Sequence, residues 1–421
     1  MSASTRGRRV GGVWSSACRF RRCNESVRKG QAILKGTRMR FSVDAHAIGR
    51  HLTGNEVYIR NLLRGFARLE PAAEIIAYVS ADGAEAHVPD GFRIRRISPV
   101  PHIRLTLDLP RKLRRDRPDV VHVQYTAPLG CPAPVVVTVH DVSFIEHPEF
   151  FRRVRALQLR ITVRRTVKQA ACVLTPSEFS KRAILKAFGL PEERVVVVPN
   201  AVSEEFRPRP AAPAAAEVWR RYGIASPFLL TVGDLQPRKN HEGLIRAFAE
   251  LIRHHPALPH RLVIVGQDGW YGAHVRRAAA RSGIADRIHF PGFVPDEDLL
   301  LFYAACEVFV FPSVYEGFGL PILEAMACGR AVACSNTTAM PEVADAAAIL
   351  FDPRDCGQMV RAMRDLIADP ELRARRERLG LKWAGRFSWD RAAEKTFEVY
   401  CAVADARARN RAVTAPSVVH S

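Results

Sequence analysis

The chain is expected to be α/β, with two doubly wound Rossmann-like domains, on three observations. Its 421 residues exceed what one hydrophobic core ordinarily covers, so two domains are the first expectation. Short apolar runs that read as buried strands alternate with helical patterns in both halves, which is the grammar of doubly wound parallel sheets. A proline and alanine stretch with little core-forming content, RPRPAAPAAAE at 207–217, separates the halves and reads as a linker. No internal sequence repeat stands out.

Composition narrows the function classes. Hydrophobic residues make up 48%, a normal globular share. No uninterrupted apolar run reaches the roughly 18 residues of a spanning helix. Nine cysteines, odd in number, scattered and without a C-x-x-C pair, read as small buried apolar residues in a reducing, cytoplasmic compartment. They do not read as a disulfide framework or a metal site. The net charge of +20 points to an anionic partner, but it is unevenly spread. Residues 1–38 hold ten Arg or Lys against one acid, Glu25, and so contribute +9. That segment reads as a disordered basic extension, or as the run-up to a functional start at Met39, with membrane or nucleic-acid tethering as the sharper alternative.

Taken in order, MRFSVD (39–44) is the first strand, followed by the polar loop HAIGRHLTGNE. Thr53 or Asn55 can cap the next helix, where Val57, Ile59, Leu62, Leu63, Phe66 and Leu69 recur at helical spacing. Strands follow at 74–80, 92–98, 120–124, 135–141, 171–177 and 195–200. His140 and Asp141 close the strongest of them. The crevice of such a sheet lies beyond the strand carboxyl ends, so both residues should meet it. Residues 150–169 read as a helix with seven basic residues, Arg152, Arg153, Arg155, Arg160, Arg164, Arg165 and Lys168, interleaved with apolar ones. Such a helix suits an anionic membrane surface or an acidic acceptor, or it is the solvated outer face of the domain. The basic run RKLRRDRPD (111–119) adds to that charge.

The second half opens with the strand FLLTVGD (228–234), ending at Gly233, then a turn carrying Arg238 and Lys239 before a helix that Asn240 can cap. Two fixed cations beside a helix N-terminus suit a diphosphate, with Arg238 able to grip bidentately. LVIVGQD (262–268) is a further strand with Gly266 at its crevice end. The most ligand-like stretch is FPSVYEGFGLPILEA (311–325). Glu316 and Glu324 stand eight positions apart, and Gly317, Phe318, Gly319, Leu320 and Pro321 fill a turn between an apolar strand and a helix. Pro321 suits the first helical turn, so backbone donors and the dipole would face a phosphate or polar sugar. Neither a G-x-G-x-x-G fingerprint nor a P-loop is present, against a nicotinamide enzyme or an NTPase.

The E-G-F-G-L-P-x-x-E-A arrangement resembles the donor-binding motif of retaining glycosyltransferases of the GT-B fold, family 4, also called glycosyl transferases group 1. The likeness runs from Met39 to about Val403. The resemblance implies the GT-B fold, with two Rossmann-like domains facing a central cleft. It further implies a basic extension at 1–38, an acceptor domain at 39–205, a linker at 206–225 and a donor domain at 226–386. A closing helix at 387–405 would return to the first domain, and 406–421 would be a tail. In it Arg238 and Lys239 stabilise the departing nucleoside diphosphate, Glu316 orients the donor sugar, Glu324 takes the ribose hydroxyls, and His140 acts from the facing domain. Phe293 and Val294 in PGFVPDEDL would flank the nucleobase. Gly54 and Asn55 stand where relatives carry a glycine-rich loop near the donor phosphates and the acceptor, although only one glycine of the common pair remains.

The implied activity is transfer of a hexose, with mannose expected first, from a GDP- or UDP-linked nucleotide-sugar to a glycan or lipid-linked acceptor. Retention of configuration, no cofactor and no metal are expected, and no D-x-D dyad stands in a convincing strand-end setting. No nucleic-acid partner is expected; an anionic membrane surface is, with the protein cytoplasmic or peripheral on the cytoplasmic membrane face. A covalent role for Glu316 is the less favoured variant. Other readings are an inactive GT-B scaffold that binds membrane or nucleic acid, and a GT-B nucleotide-sugar epimerase.

Overall fold

The computed structural model describes residues 33–34, 37–50, 53–69, 71 and 73–414. The expected basic extension lies outside them, apart from a two-residue antiparallel pairing of Ile33–Leu34 with Thr37–Arg38. So do the last seven residues of the expected tail.

The first domain is a parallel sheet of seven strands: β1 (Arg40–Asp44), β2 (Glu74–Val79), β3 (Arg93–Arg96), β4 (Val120–Gln124), β5 (Val135–Thr138), β6 (Cys172–Thr175) and β7 (Val195–Val197). Their spatial order is 3-2-1-4-5-6-7. The second sheet has six parallel strands: β8 (Phe228–Val232), β9 (Arg261–Val265), β10 (Ile288–Gly292), β11 (Val308–Phe311), β12 (Ala331–Ser335) and β13 (Ile349–Phe351). Their order is 10-9-8-11-12-13. Both are doubly wound, so each reverses direction beside its own first strand, where a crevice opens.

Period-two side-chain placement explains why these runs are apolar throughout. On β2, Ile75, Ala77 and Val79 enter one core while Ile76 and Tyr78 enter the core on the opposite face. On β8, Phe228 and Leu230 face one cluster and Leu229 the other. The helix Trp389–Thr414 leaves the second domain and packs on the first, with Phe397 and Tyr400 set edge-on to Phe41 at 5.4 and 5.2 Å. It runs to Thr414, past residue 405 where the closing helix was expected to end.

The stretch read as a linker is a helix. Ala211–Tyr222 buries Ala214 and Val218 in the second-domain core, and the Tyr222 ring lies 5.0 Å from Phe302. The physical reason is that alanine has the highest helix propensity, and Pro213 falls within the first turn, where its missing N–H breaks no helical bond. If this segment contributes core, Val218→Ala should destabilise the second domain by about 2 kcal/mol, measured by chemical denaturation. A free linker would leave the unfolding midpoint unchanged.

Candidate active site

Where the second sheet reverses, the loops leaving β8 and β11 meet, and Val314 N donates to Arg238 O at 2.8 Å. Gly233 and Gly266 lie side by side beneath them. A Cβ on Gly266 would stand 2.1 Å from Gly233 O, so the crevice floor there has to be bare backbone. Above it, Arg238 Nη1 donates to Glu316 Oε2 at 2.7 Å, and Lys239 Nζ lies 2.8 Å from Glu316 Oε1. Burial alone would raise the Glu316 pKa, but Arg238 and Lys239 outweigh it and hold it at about 2. Burial pushes the Lys239 ammonium down, with Glu316 opposing. The forked grip expected of Arg238 is not offered here: Nε faces Gln236 Oε1 and Nη1 serves Glu316 and Tyr315 O, which leaves Nη2.

The helix Leu320–Ala327 starts from Gly319, whose φ of 104° favours glycine. Glu324 sits one turn in, buried, and accepts from Tyr303 OH at 2.8 Å. Burial pushes its pKa up to about 7. Three of the expected donor residues turn their side chains toward the core. Val294 is packed in the second-domain core, as is Phe318, whose ring lies 5.9 Å from Phe387; of the pair expected to flank a base, only Phe293 reaches the surface. Leu320 packs half-buried against the same core. Asn240 does hold the cap position, but its side chain makes no cap bond and donates instead to Pro353 O at 2.8 Å.

The first domain closes over this cluster at Gly317. A Cβ there would stand 2.0 Å from His140 O, so any other residue would wedge the domains apart. The hydroxyls of Ser177 and Ser180 reach Gly317 O at 2.7 and 3.0 Å, and Ser180 Oγ is also 3.0 Å from His140 O. His140 is thus brought against the motif. Burial lowers its pKa to about 4, leaving the ring neutral. Gln124 sets the tautomer: its Nε2 donates to Asn55 O at 3.2 Å, so its Oε1 must accept from His140 Nε2 at 2.9 Å, and the lone pair lies on Nδ1. Asn55 therefore reaches the site through Gln124. Gly54 is exposed with open space around a Cβ, so crowding does not require a glycine there.

Sequence reasoning missed the residues that fasten the two halves. Glu342 of the second domain accepts from Glu178 N and Phe179 N at 2.9 and 3.2 Å, placing a carboxylate on the N-terminus of the first-domain helix Glu178–Phe188. Tyr315 OH donates to Glu146 Oε2 at 2.8 Å across the cleft. The S-E-F-S start of the helix was a readable cap signal; Glu342 carried none.

Two family models match the chain, one described as Glycosyltransferase Family 4 over residues 52–206 and one as Glycosyl transferases group 1 over residues 223–383. The O-antigen chain mannosyltransferase B of Escherichia coli is 35% identical over 266 residues, which span 63% of this chain and 69% of that protein. The serotype-specific mannosyltransferase WbdA of E. coli is 30% identical over 259 residues, 60% of this chain but 31% of WbdA. Among solved structures, sucrose-phosphate synthase from Thermosynechococcus elongatus aligns with a TM-score of 0.71 at 20% identity, over 88% of this chain and 100% of that one. Anabaena HepE, solved in complex with UDP-glucose, aligns at 0.67 and 20%, over 86% and 99%. At such identities these two show the fold alone.

Glu324 gives a pH test. Its folded pKa, about 7, stands above its ordinary 4.5, so the fold prefers the protonated acid. That stability is whole below the ordinary value and is lost as pH rises through the folded one. Glu324→Gln mimics the protonated form and should gain on wild type between about pH 5 and pH 8, by up to about 3 kcal/mol in denaturant titrations. A difference that does not change with pH would mean that Glu324 keeps one protonation state throughout.

Proposed function

The chain belongs to the group 1, family 4 glycosyltransferases of the GT-B fold, and from that premise we propose that it moves a hexose from a nucleoside-diphosphate sugar to a hydroxyl of a glycan or lipid-linked acceptor, with retention of configuration. The observation that carries this reading is the Arg238–Glu316–Lys239 cluster at the reversal of the second sheet, with His140 closed onto it from the first domain. Losing a diphosphate from an anomeric carbon builds negative charge on the leaving oxygen. Arg238 through Nη2 and the remaining protons of Lys239 meet that charge, and we assign no metal to the step. The carbon–phosphate oxygen bond breaks as the acceptor oxygen bonds to the anomeric carbon, and the acceptor proton leaves with the diphosphate.

Glu316, ionised and paired at both oxygens, is a poor nucleophile in this arrangement; that supports an orienting role for it and argues against a covalent intermediate. Glu324 would accept from the ribose hydroxyls, and His140 Nδ1 from a sugar hydroxyl. Mannose from a guanosine donor is the first assignment, supported by the mannosyltransferase relatives; a glucose-type uridine donor comes next. Radiolabelled donor turnover tests the reading. Arg238→Ala and Glu324→Ala should each lose about 10²-fold or more in rate. Equal background in wild type and both variants would leave an inactive scaffold, and donor conversion without acceptor would make the protein an epimerase.

A lipid-linked acceptor fits one face of the first domain. On the helix Arg153–Gln169, Val154, Leu157 and Ile161 are 82, 58 and 62% exposed, with Arg153, Arg155, Arg160 and Arg164 exposed around them. Leu129 and Leu107 lie exposed on neighbouring elements, joined by Leu129 N donating to Leu105 O and by Thr126 meeting Thr162. None of the helices described is long and apolar enough to cross a membrane. Apolar side chains ringed by arginines instead match the surface of an anionic bilayer, and we place the protein on the cytoplasmic membrane face. In sedimentation, phosphatidylglycerol vesicles should carry the protein down and phosphatidylcholine vesicles should not, and Leu157→Glu with Ile161→Glu should weaken binding at least ~10-fold. Equal recovery in both vesicle types would exclude a charge-matched contact.

A further inference from the structure

Arg104 is a buried charged side chain with no ion pair or hydrogen-bond acceptor at Nε or Nη1 among the described residues. It is only 6% exposed. Among the described residues no carboxylate comes within ion-pair distance of it. Asp44 acts on it from beyond ion-pair distance, and its Oδ1 accepts from His46 Nδ1 at 3.0 Å and from His46 N at 3.2 Å. Asp108, on the same helical segment, is taken by Ser98 N and Lys112. Arg50, the next cation, uses Nη1 on Pro99 O. Burial accordingly pushes the Arg104 pKa down, with Asp44 opposing.

The position is not neutral. Asp44 closes β1, Ser80 follows β2 and donates to His46 O, and Arg104 comes from the segment that follows β3. All three stand at the carboxyl ends of parallel strands, the side of the sheet that faces the cleft. Arg104 also opens a π-helical turn, Arg104–Asp108, a rare conformation that re-aims side chains and recurs at functional sites. A buried guanidinium that its neighbouring carboxylate, Asp44, compensates only from beyond contact distance is destabilised, and an anion that pairs with it directly would relieve this.

We propose that Arg104 is the centre of an oxyanion subsite in the first domain, which receives a phosphoryl or carboxylate group carried by the acceptor. That the anion belongs to the acceptor rests on the transferase reading above; that an anion binds at Arg104 does not.

The test titrates inorganic phosphate, and separately acetate, calorimetrically into the full chain, into Arg104→Met and Arg104→Lys, and into Arg238→Gln. The chain should show a saturable binding event that persists in Arg238→Gln, falls at least tenfold in Arg104→Met and is partly kept in Arg104→Lys. Phosphate or acetate, whichever binds more tightly, identifies the group. Thermal melts are run alongside: Arg104→Met, which keeps a straight apolar stem and removes the unpaired charge, should melt no lower than wild type. Binding lost in Arg238→Gln and kept in Arg104→Met would put the anion on the donor side and overturn the subsite. Absence of saturable binding to either anion, or a clear fall in the Arg104→Met melting temperature, would overturn it as well. Since none of these readouts needs sugar transfer, failure of the transferase reading would leave them intact.

Discussion

Two cations share one carboxylate at the floor of the second-domain crevice, and that imbalance governs what the cleft can hold. Glu316 compensates Arg238 and Lys239 only in part, inside a region where burial already disfavours the ammonium. The group can be kept ionised because each cation touches Glu316, while Asp141 and Asp234 act on the cations from further off. An anion entering beside Nη2 of Arg238 completes a pairing the protein leaves unfinished. A neutral ligand would gain nothing from it. The first domain takes part as well, since the charge of Asp141 helps to raise the Arg238 pKa once the two halves are together.

Their meeting depends on a missing side chain. Gly317 allows the motif loop to approach His140 O more closely than any Cβ permits, and the Ser177 and Ser180 hydroxyls then bind the carbonyl that the approach delivers. Glu342 on a helix N-terminus and Tyr315 on Glu146 are polar fastenings of the same interface. Each can be exchanged for water at little net cost, so the contact suits opening and closing better than a permanent seam would.

How much of this was legible follows from the range of each signal. Strand and helix identity came through because buried parallel strands are apolar along their whole length and the helices carry a stripe at their own period. Glu316, Glu324, Arg238 and Lys239 came through because they lie in strand-to-helix turns, where local spacing already says what they face. The pairing of Glu316 with both cations did not, since it joins loops 77 and 78 positions apart. The inward packing of Val294 and Phe318 stays hidden for a related reason: an apolar residue in a binding loop can turn to the ligand or to the core, and only packing decides. The proline and alanine segment misled by composition. Small side chains suggested a linker, although two of its positions fall on the face that meets Phe302.

The two crevices differ in how they treat charge. In the second domain the cations are visible to each other's counterion and the excess is shared over three groups. In the first, Asp44 is in contact with His46, and it reaches Arg104 only from beyond ion-pair distance. A closed cleft would thus present two positive regions to its contents, one from each sheet. Molecules that carry an anion at both ends are held from both sides, and closure at Gly317 brings those sides together. An acceptor anion at Arg104 and a donor diphosphate at Arg238 would each lower the positive charge that the closed cleft carries, so charge on the ligands and closure would favour one another.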